Sequence, residues 1–142
     1  MAHTPFHGSI PDDRLYDTRY DMWVQREGDT ITIGITSFGV FLAGEIIAFT
    51  GKPKGAEIDY GRGLGTVESA KTVLAVHSPL ACKLHMVNEA LEERPAPINQ
   101  RPYESWLVRV TSRSGLADQA HLVDAAAYRA HVLSVEPEAS FE

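Results

Sequence analysis

The sequence predicts a mainly β domain, a sandwich or barrel carrying two short helices. Three observations predict it. Short apolar segments recur at close spacing along the 142 residues, with Gly and Pro turns between them. Residues 30–36 read Thr-Ile-Thr-Ile-Gly-Ile-Thr, so Ile31, Ile33 and Ile35 share one face of a half-buried strand. Only two stretches, near residues 88–93 and 124–132, have helix-favouring composition of any length.

Taken in order, residues 1–15 are rich in Pro, His, Gly and Asp and predict a loosely ordered, flexible arm. After the strand at 30–36, residues 37–42 predict one helical turn capped by Ser37. Residues 45–50 predict a strand, and Gly51-Lys52-Pro53-Lys54-Gly55 a turn. Short strands are predicted at 56–58, 65–67, 72–76, 83–87 and 106–110. Asn88 caps the first helix, which ends before Pro95. Asp124 caps the second, with Tyr128 and Val132 on one face. Residues 134–142 predict a flexible tail, leaving 16–133 as one domain.

Composition narrows the function classes. At 44% hydrophobic and 23% charged residues, the chain has the balance of an ordinary soluble globule that buries its own core. The net charge of −6 argues against a nucleic-acid partner. No apolar stretch approaches the roughly 18 residues of a membrane span, and the start has no secretory leader pattern. A cytoplasmic, monomeric protein without a membrane partner is expected. The one cysteine, Cys82, leaves no internal disulfide.

Two local patterns suggest chemistry. Residues 65–72, Gly-Thr-Val-Glu-Ser-Ala-Lys-Thr, nearly match a phosphate-binding loop. That loop needs glycine just before the lysine and a helix starting at it. Here Ala70 precedes Lys71, and the β-favouring residues 72–76 follow, so a glycine-rich turn feeding a hairpin is predicted instead. Lys71 then lies between two strand-like segments, with its amine in water at a hairpin tip. A lysine displayed in this way is a candidate for acylation, because an enzyme can grip both flanking strands.

The segment Val67-Glu68-Ser69-Ala70-Lys71 resembles the lipoylated hairpin of the glycine-cleavage H proteins and their relatives. Other blocks follow in register: Trp23-Val24, Ile33-Gly34-Ile35-Thr36, Leu42-Ala43-Gly44-Glu45, Gly63-Leu64-Gly65, Ser78-Pro79, Val87-Asn88-Glu89-Ala90-Leu91, Pro97-Ile98-Asn99, Pro102-Tyr103, Trp106-Leu107 and the helix start at 123–128. The resemblance covers about residues 16–133. It implies a flattened β-sandwich, the barrel-sandwich hybrid of lipoyl domains, with short helices and a C-terminal helix. It also implies a non-catalytic carrier with lipoic acid in amide linkage to Lys71. Glu68 and Ser69 would then be recognition residues for a lipoate-protein ligase or lipoyl transferase.

Departures from the family pattern bear on the cargo. The family's His-Glu-Trp is Asp21-Met22-Trp23 here, and its Asp-His-Ala is Ser37-Phe38-Gly39. Asp21, Met22 and Phe38 are therefore the expected altered residues of the arm cleft, with Asp21 the carboxylate available to a cationic cargo. Lys52 and Lys54 replace acidic surface. These changes predict a carrier repurposed for bacterial sulfur oxidation, serving a heterodisulfide-reductase-like complex. The alternative is a glycine-cleavage H protein that carries an aminomethyl group between glycine decarboxylase and its partners, with dihydrolipoyl dehydrogenase restoring the arm. A second alternative is an unmodified interaction module.

Cys82 is read as a small buried residue, or as a thiol that exchanges with the lipoyl sulfurs. His77, Cys82 and His85 do not predict a metal site, since alternate strand positions face opposite sides. His3, His7, His121 and His131 are expected in solvent, and Trp23 and Trp106 in packing roles.

Overall fold

The computed structural model describes residues 4–113, 115 and 119–142. The alternation read at 30–36 forms strand β4, Thr30–Ile35, with Ile31, Ile33 and Ile35 all buried. Before it come β1 (His7–Gly8), β2 (Leu15–Asp17) and β3 (Met22–Glu27). Helix α1 (Ser37–Ala43), then β5 (Ile46–Gly51), β6 (Glu57–Ile58), β7 (Gly63–Ser69), β8 (Val73–His77) and β9 (Cys82–Val87) follow. The chain continues through α2 (Glu89–Glu93), α3 (Pro97–Gln100), β10 (Val108–Ser112), α4 (Ala125–Val135) and β11 (Ser140–Phe141).

A six-stranded sheet, in the order β2-β3-β4-β10-β9-β6, and a three-stranded sheet, β5-β7-β8, enclose the main core. The sheets do not close into a barrel, and the mainly β architecture with short helices is the one expected. From Gly65 on, alternate positions of β7 face inward: Gly65, Val67 and Ser69 are buried, while Thr66 and Glu68 are exposed; Leu64, at the register shift before them, is buried as well. Leu64 and Val67 meet Ile33 and Ile35 of β4 and Leu84 of β9 within one cluster.

The first half of strand β3 is buried on both faces. Met22 and Val24 belong to the main core, and Trp23 to a second cluster with Tyr16, Phe38, Tyr128 and Val132. Trp23 lies opposite Gly34. A Cβ on Gly34 would sit 2.4 Å from the indole, so the glycine makes room for the ring. The indole N–H donates to the Pro102 carbonyl at 3.0 Å. Trp23 and Val24, which precede the first strand expected from the sequence at 30–36, lie within a strand of their own, β3.

The two termini meet each other. β1 pairs in parallel with β11, and Phe6 is buried against Phe38 and Phe141. His7 Nδ1 lies 2.8 Å from Ser140 Oγ, and Ser9 Oγ donates to Glu142 at 2.9 Å. The cap of α1 also differs: Thr36, not Ser37, accepts the Gly39 N–H. Asn88 precedes α2 without a side-chain cap, because its amide donates to the Trp106 carbonyl. Asp124 caps α4 as expected, accepting the Ala127 N–H at 2.9 Å.

Candidate functional site: a lysine turn beside an apolar groove

Strands β7 and β8 form an antiparallel hairpin in which Glu68 faces Val73 and Val67 faces Leu74. Ala70, Lys71 and Thr72 make its turn. The turn is held by Ser69. Its N–H donates to the Thr72 carbonyl at 2.8 Å, and its Oγ accepts the N–H groups of Lys71 and Thr72 at 3.2 and 3.3 Å. Ser69 is buried, whereas Glu68 and Lys71 are exposed. The two residues expected to serve recognition therefore differ: Glu68 offers its side chain outward, and Ser69 turns inward to shape the backbone. Gly65 belongs to β7 and no helix starts at Lys71, so the phosphate-loop geometry is absent.

A groove of about 180 Å³ runs beside this hairpin. Met22 and Ile35, with Leu42 and Ala43 of α1, form one side; Leu74 and Val76 of β8 form the other. Asp21 and His77 also line it, and Asp21 is its one acidic residue among those described. Asp21 adopts φ 57°, a left-handed conformation that Asp tolerates better than most side chains. Its N–H donates to the Asp17 carbonyl, and its own carbonyl accepts the Thr36 N–H, each at 3.0 Å. The backbone is thus pinned between β2 and the start of α1. A Cβ on Gly39 would meet the Asp21 carbonyl at 2.8 Å, which explains glycine there.

Asp21 Oδ1 accepts the Tyr128 hydroxyl at 2.8 Å. The Tyr128 oxygen lies 2.7 Å from Thr36 Oγ1, which in turn accepts the Gly39 N–H at 2.9 Å. Burial pushes the Asp21 carboxyl up from its ordinary value, opposed by the hydrogen bond from Tyr128 and by nearby His131. Burial likewise drives the Tyr128 hydroxyl well above the usual tyrosine range, and the Asp21 charge adds to that.

Of the three expected cleft residues, Asp21 and Met22 line the groove and Phe38 does not. Phe38 leaves the opposite side of α1, with its ring centroid 5.3 Å from that of Phe6. Cys82 is fully buried, its Sγ 3.6 Å from Ser78 Oγ, so the exchanging-thiol reading fails for lack of access. His77 lies 2.7 Å from the Gly61 carbonyl, and His85 lies 2.9 Å from Thr111 Oγ1. His121 is half-buried beside Asp17 and packs on Tyr60 rather than standing in solvent. His3 lies outside the described residues. No sequence pattern marks the Thr36–Tyr128–Asp21 chain, which joins residues up to 107 positions apart.

A larger cavity, about 440 Å³, lies on the other side of α1. Ser37, Val40 and Phe41 face it, with Phe6 and Glu142 from the paired termini. Helix α1 therefore separates two spaces, and the terminal ribbon braces it from behind.

Comparison with known proteins places these features. Residues 14–134 match the profile described as Glycine cleavage H-protein. A protein of Mycolicibacterium vanbaalenii named "Glycine cleavage system H protein" is 39% identical over 127 residues, 87% of this chain and 96% of that one. One of the same name from Thermus thermophilus is 36% identical, covering 84% and 93%. The crystal structure of a glycine cleavage system H protein from Mycobacterium marinum superposes with a TM-score of 0.75 at 30% identity, covering 85% of this chain and 97% of that one.

Proposed function

The chain belongs to the glycine-cleavage H-protein family, and from that premise we propose that Lys71 is its lipoyl attachment site. Proteins of this family carry lipoate covalently on a lysine. The observation that carries the assignment is the turn itself. Of the four lysines, Lys52 and Lys54 lie in the β5–β6 turn region and Lys83 within β9. Lys71 alone stands at a hairpin tip, on a backbone held by Ser69 and on the hairpin whose Val67 and Leu74 line the groove.

The residues fit the group. An exposed amine on a fixed turn can be acylated without disturbing the core, and the same hairpin forms part of an apolar groove through Val67 and Leu74. When attached, the lipoyl group supplies a disulfide that opens and closes by two-electron chemistry. The chain itself performs the positioning. The hairpin tethers the arm, so that cargo meets a docked partner at a high effective concentration. Met22, Ile35, Leu42 and Leu74 offer the arm an apolar wall. Asp21 offers one carboxylate to a cation, and Glu68 is presented to a ligase or transferase.

The relatives named above favour the aminomethyl cargo, with glycine decarboxylase and dihydrolipoyl dehydrogenase as partners, over the sulfur-oxidation role expected from the departures. No relative described here supports a heterodisulfide-reductase-like partner. An aminomethyl amine is cationic, and Asp21 lies on the groove wall one position from the acid that the family pattern would place at Met22. The assignment is tested by exposing the unmodified chain to lipoate-protein ligase, ATP and lipoate. A lipoyl mass on the Lys71 peptide is expected, with none in Lys71→Arg. Modification elsewhere, or of Lys71→Arg, would overturn it.

A further inference from the structure

Asp21 is half-buried, holds a left-handed φ of 57°, and stands between α4 and the groove. Its Oδ1 accepts the Tyr128 hydroxyl from α4; no protein donor reaches its Oδ2 among the described residues, and the residue lines the groove. The donors run in one sense. The Gly39 N–H donates to Thr36 Oγ1, so the Thr36 hydroxyl hydrogen is available to the Tyr128 oxygen, and the Tyr128 hydrogen goes to Asp21. Both intermediate residues are fully buried, so water does not compete for these hydrogens. The chain begins in the first turn of α1, the helix whose Leu42 and Ala43 wall the groove, and ends on the groove's carboxylate.

We infer that Tyr128 is the positioning residue of this groove: its hydroxyl, oriented by Thr36, holds the Asp21 carboxylate where a cationic cargo on the arm passes. The inference rests on the carrier reading above and extends it to a residue of the C-terminal helix. A carboxylate in this setting needs such support. Burial disfavours its charged form, the nearby Asp17 charge does so further, and the Tyr128 hydrogen bond and His131 act the other way. Without the hydroxyl, Asp21 keeps its burial and loses the one side-chain donor it has among the described residues. It then takes up a proton at higher pH and offers less charge to an amine.

The first test needs no cargo. The Asp21 side-chain carboxyl is titrated by carbon-detected NMR in the full unmodified chain, as parent and as Tyr128→Phe. The variant is expected to titrate higher by about one pH unit, the scale of a hydrogen bond to a charged group. In the parent, the Tyr128 ring Cζ shift is expected to follow the same midpoint as Asp21, a readout that does not depend on the variant folding. An unchanged Asp21 midpoint in folded Tyr128→Phe, or a Tyr128 shift blind to Asp21, would overturn the inference. The second test follows cargo. Lipoylated chain is loaded by glycine decarboxylase with glycine, and loss of the added mass is timed. Tyr128→Phe and Asp21→Asn are each expected to lose it several-fold faster near neutral pH, and the double variant no faster than Asp21→Asn. Parent-like retention by Tyr128→Phe would also overturn the inference. A parent chain that never loads would instead overturn the aminomethyl reading, and the titration would still decide the role of Tyr128.

Discussion

The Oγ of Ser69 accepts the main-chain N–H of Lys71 at 3.2 Å and that of Thr72 at 3.3 Å. One buried hydroxyl thus fixes the two residues that carry the turn, while leaving the lysine amine in solvent. A modifying enzyme meets a preset backbone and need not order it.

Ser69→Ala removes that acceptor and keeps the fold. Lipoylation of Lys71 is expected to slow several-fold, with a loss of about 1 kcal/mol in stability. Glu68→Gln, on the exposed face, is expected to slow modification without any change in stability. Initial rates with ligase, set beside urea melts, separate the two. Equal effects on rate and stability in both variants would contradict these different roles.

Met22→Glu restores the acid of the family pattern at a position only 2% exposed. No cation is placed to pair with it among the residues lining the groove. The variant is expected to lose about 3–5 kcal/mol at neutral pH, the cost of an uncompensated buried charge. It is not expected to improve cargo retention on its own. Denaturant melts at pH 7 check the first point, and parent-like stability would contradict it.

Phe6→Ala empties the contact through which the terminal ribbon braces α1. Phe6 is 3% exposed, and its ring lies edge-on to Phe38, Phe41 and Phe141. A loss of about 3 kcal/mol is expected, with faster amide exchange along residues 37–43. Lipoylation should be unchanged, since the β7–β8 turn makes none of these contacts. Unaltered exchange in α1 would separate the ribbon from the groove.

High pH is expected to weaken the fold through its tyrosines. Burial pushes Tyr60 up to about 12, and it drives Tyr16, Tyr103 and Tyr128 upward as well. A hydroxyl that ionises later when folded stabilises the fold fully below its ordinary value near 10 and ceases to do so as pH rises through the folded value. Thermal melts should therefore fall progressively above about pH 10. Absorbance near 295 nm should show Tyr60 ionising near 12 in the folded chain. Melting temperatures that stay level between pH 9 and 12 would contradict this.

The sequence made β4 and the Lys71 turn legible because each depends on local chemistry. Three isoleucines alternate in β4, and short β-favouring segments flank Lys71. Strand β3 was hidden for the opposite reason. Met22, Trp23 and Val24 are all buried, so no alternation marks the strand. The terminal ribbon consists of two strands of two residues each, too short for any periodicity, and its ends are 133 positions apart. Phe38 was expected in the arm cleft but packs on Phe6 instead, because a seven-residue helix between two spaces gives no preference for either. Asp21 was legible as a carboxylate near the groove. Its hold on Tyr128 was not, since that contact exists only once α4 packs against β2 and β3.

The most direct test of the carrier assignment is glycine-dependent carbon dioxide release by glycine decarboxylase, with this chain, lipoylated on Lys71, as the sole carrier. The account predicts release in proportion to the carrier supplied, with the aminomethyl mass appearing on the Lys71 peptide and neither signal in Lys71→Arg. No release, while an authentic H protein supports it in a parallel reaction, would contradict the aminomethyl role.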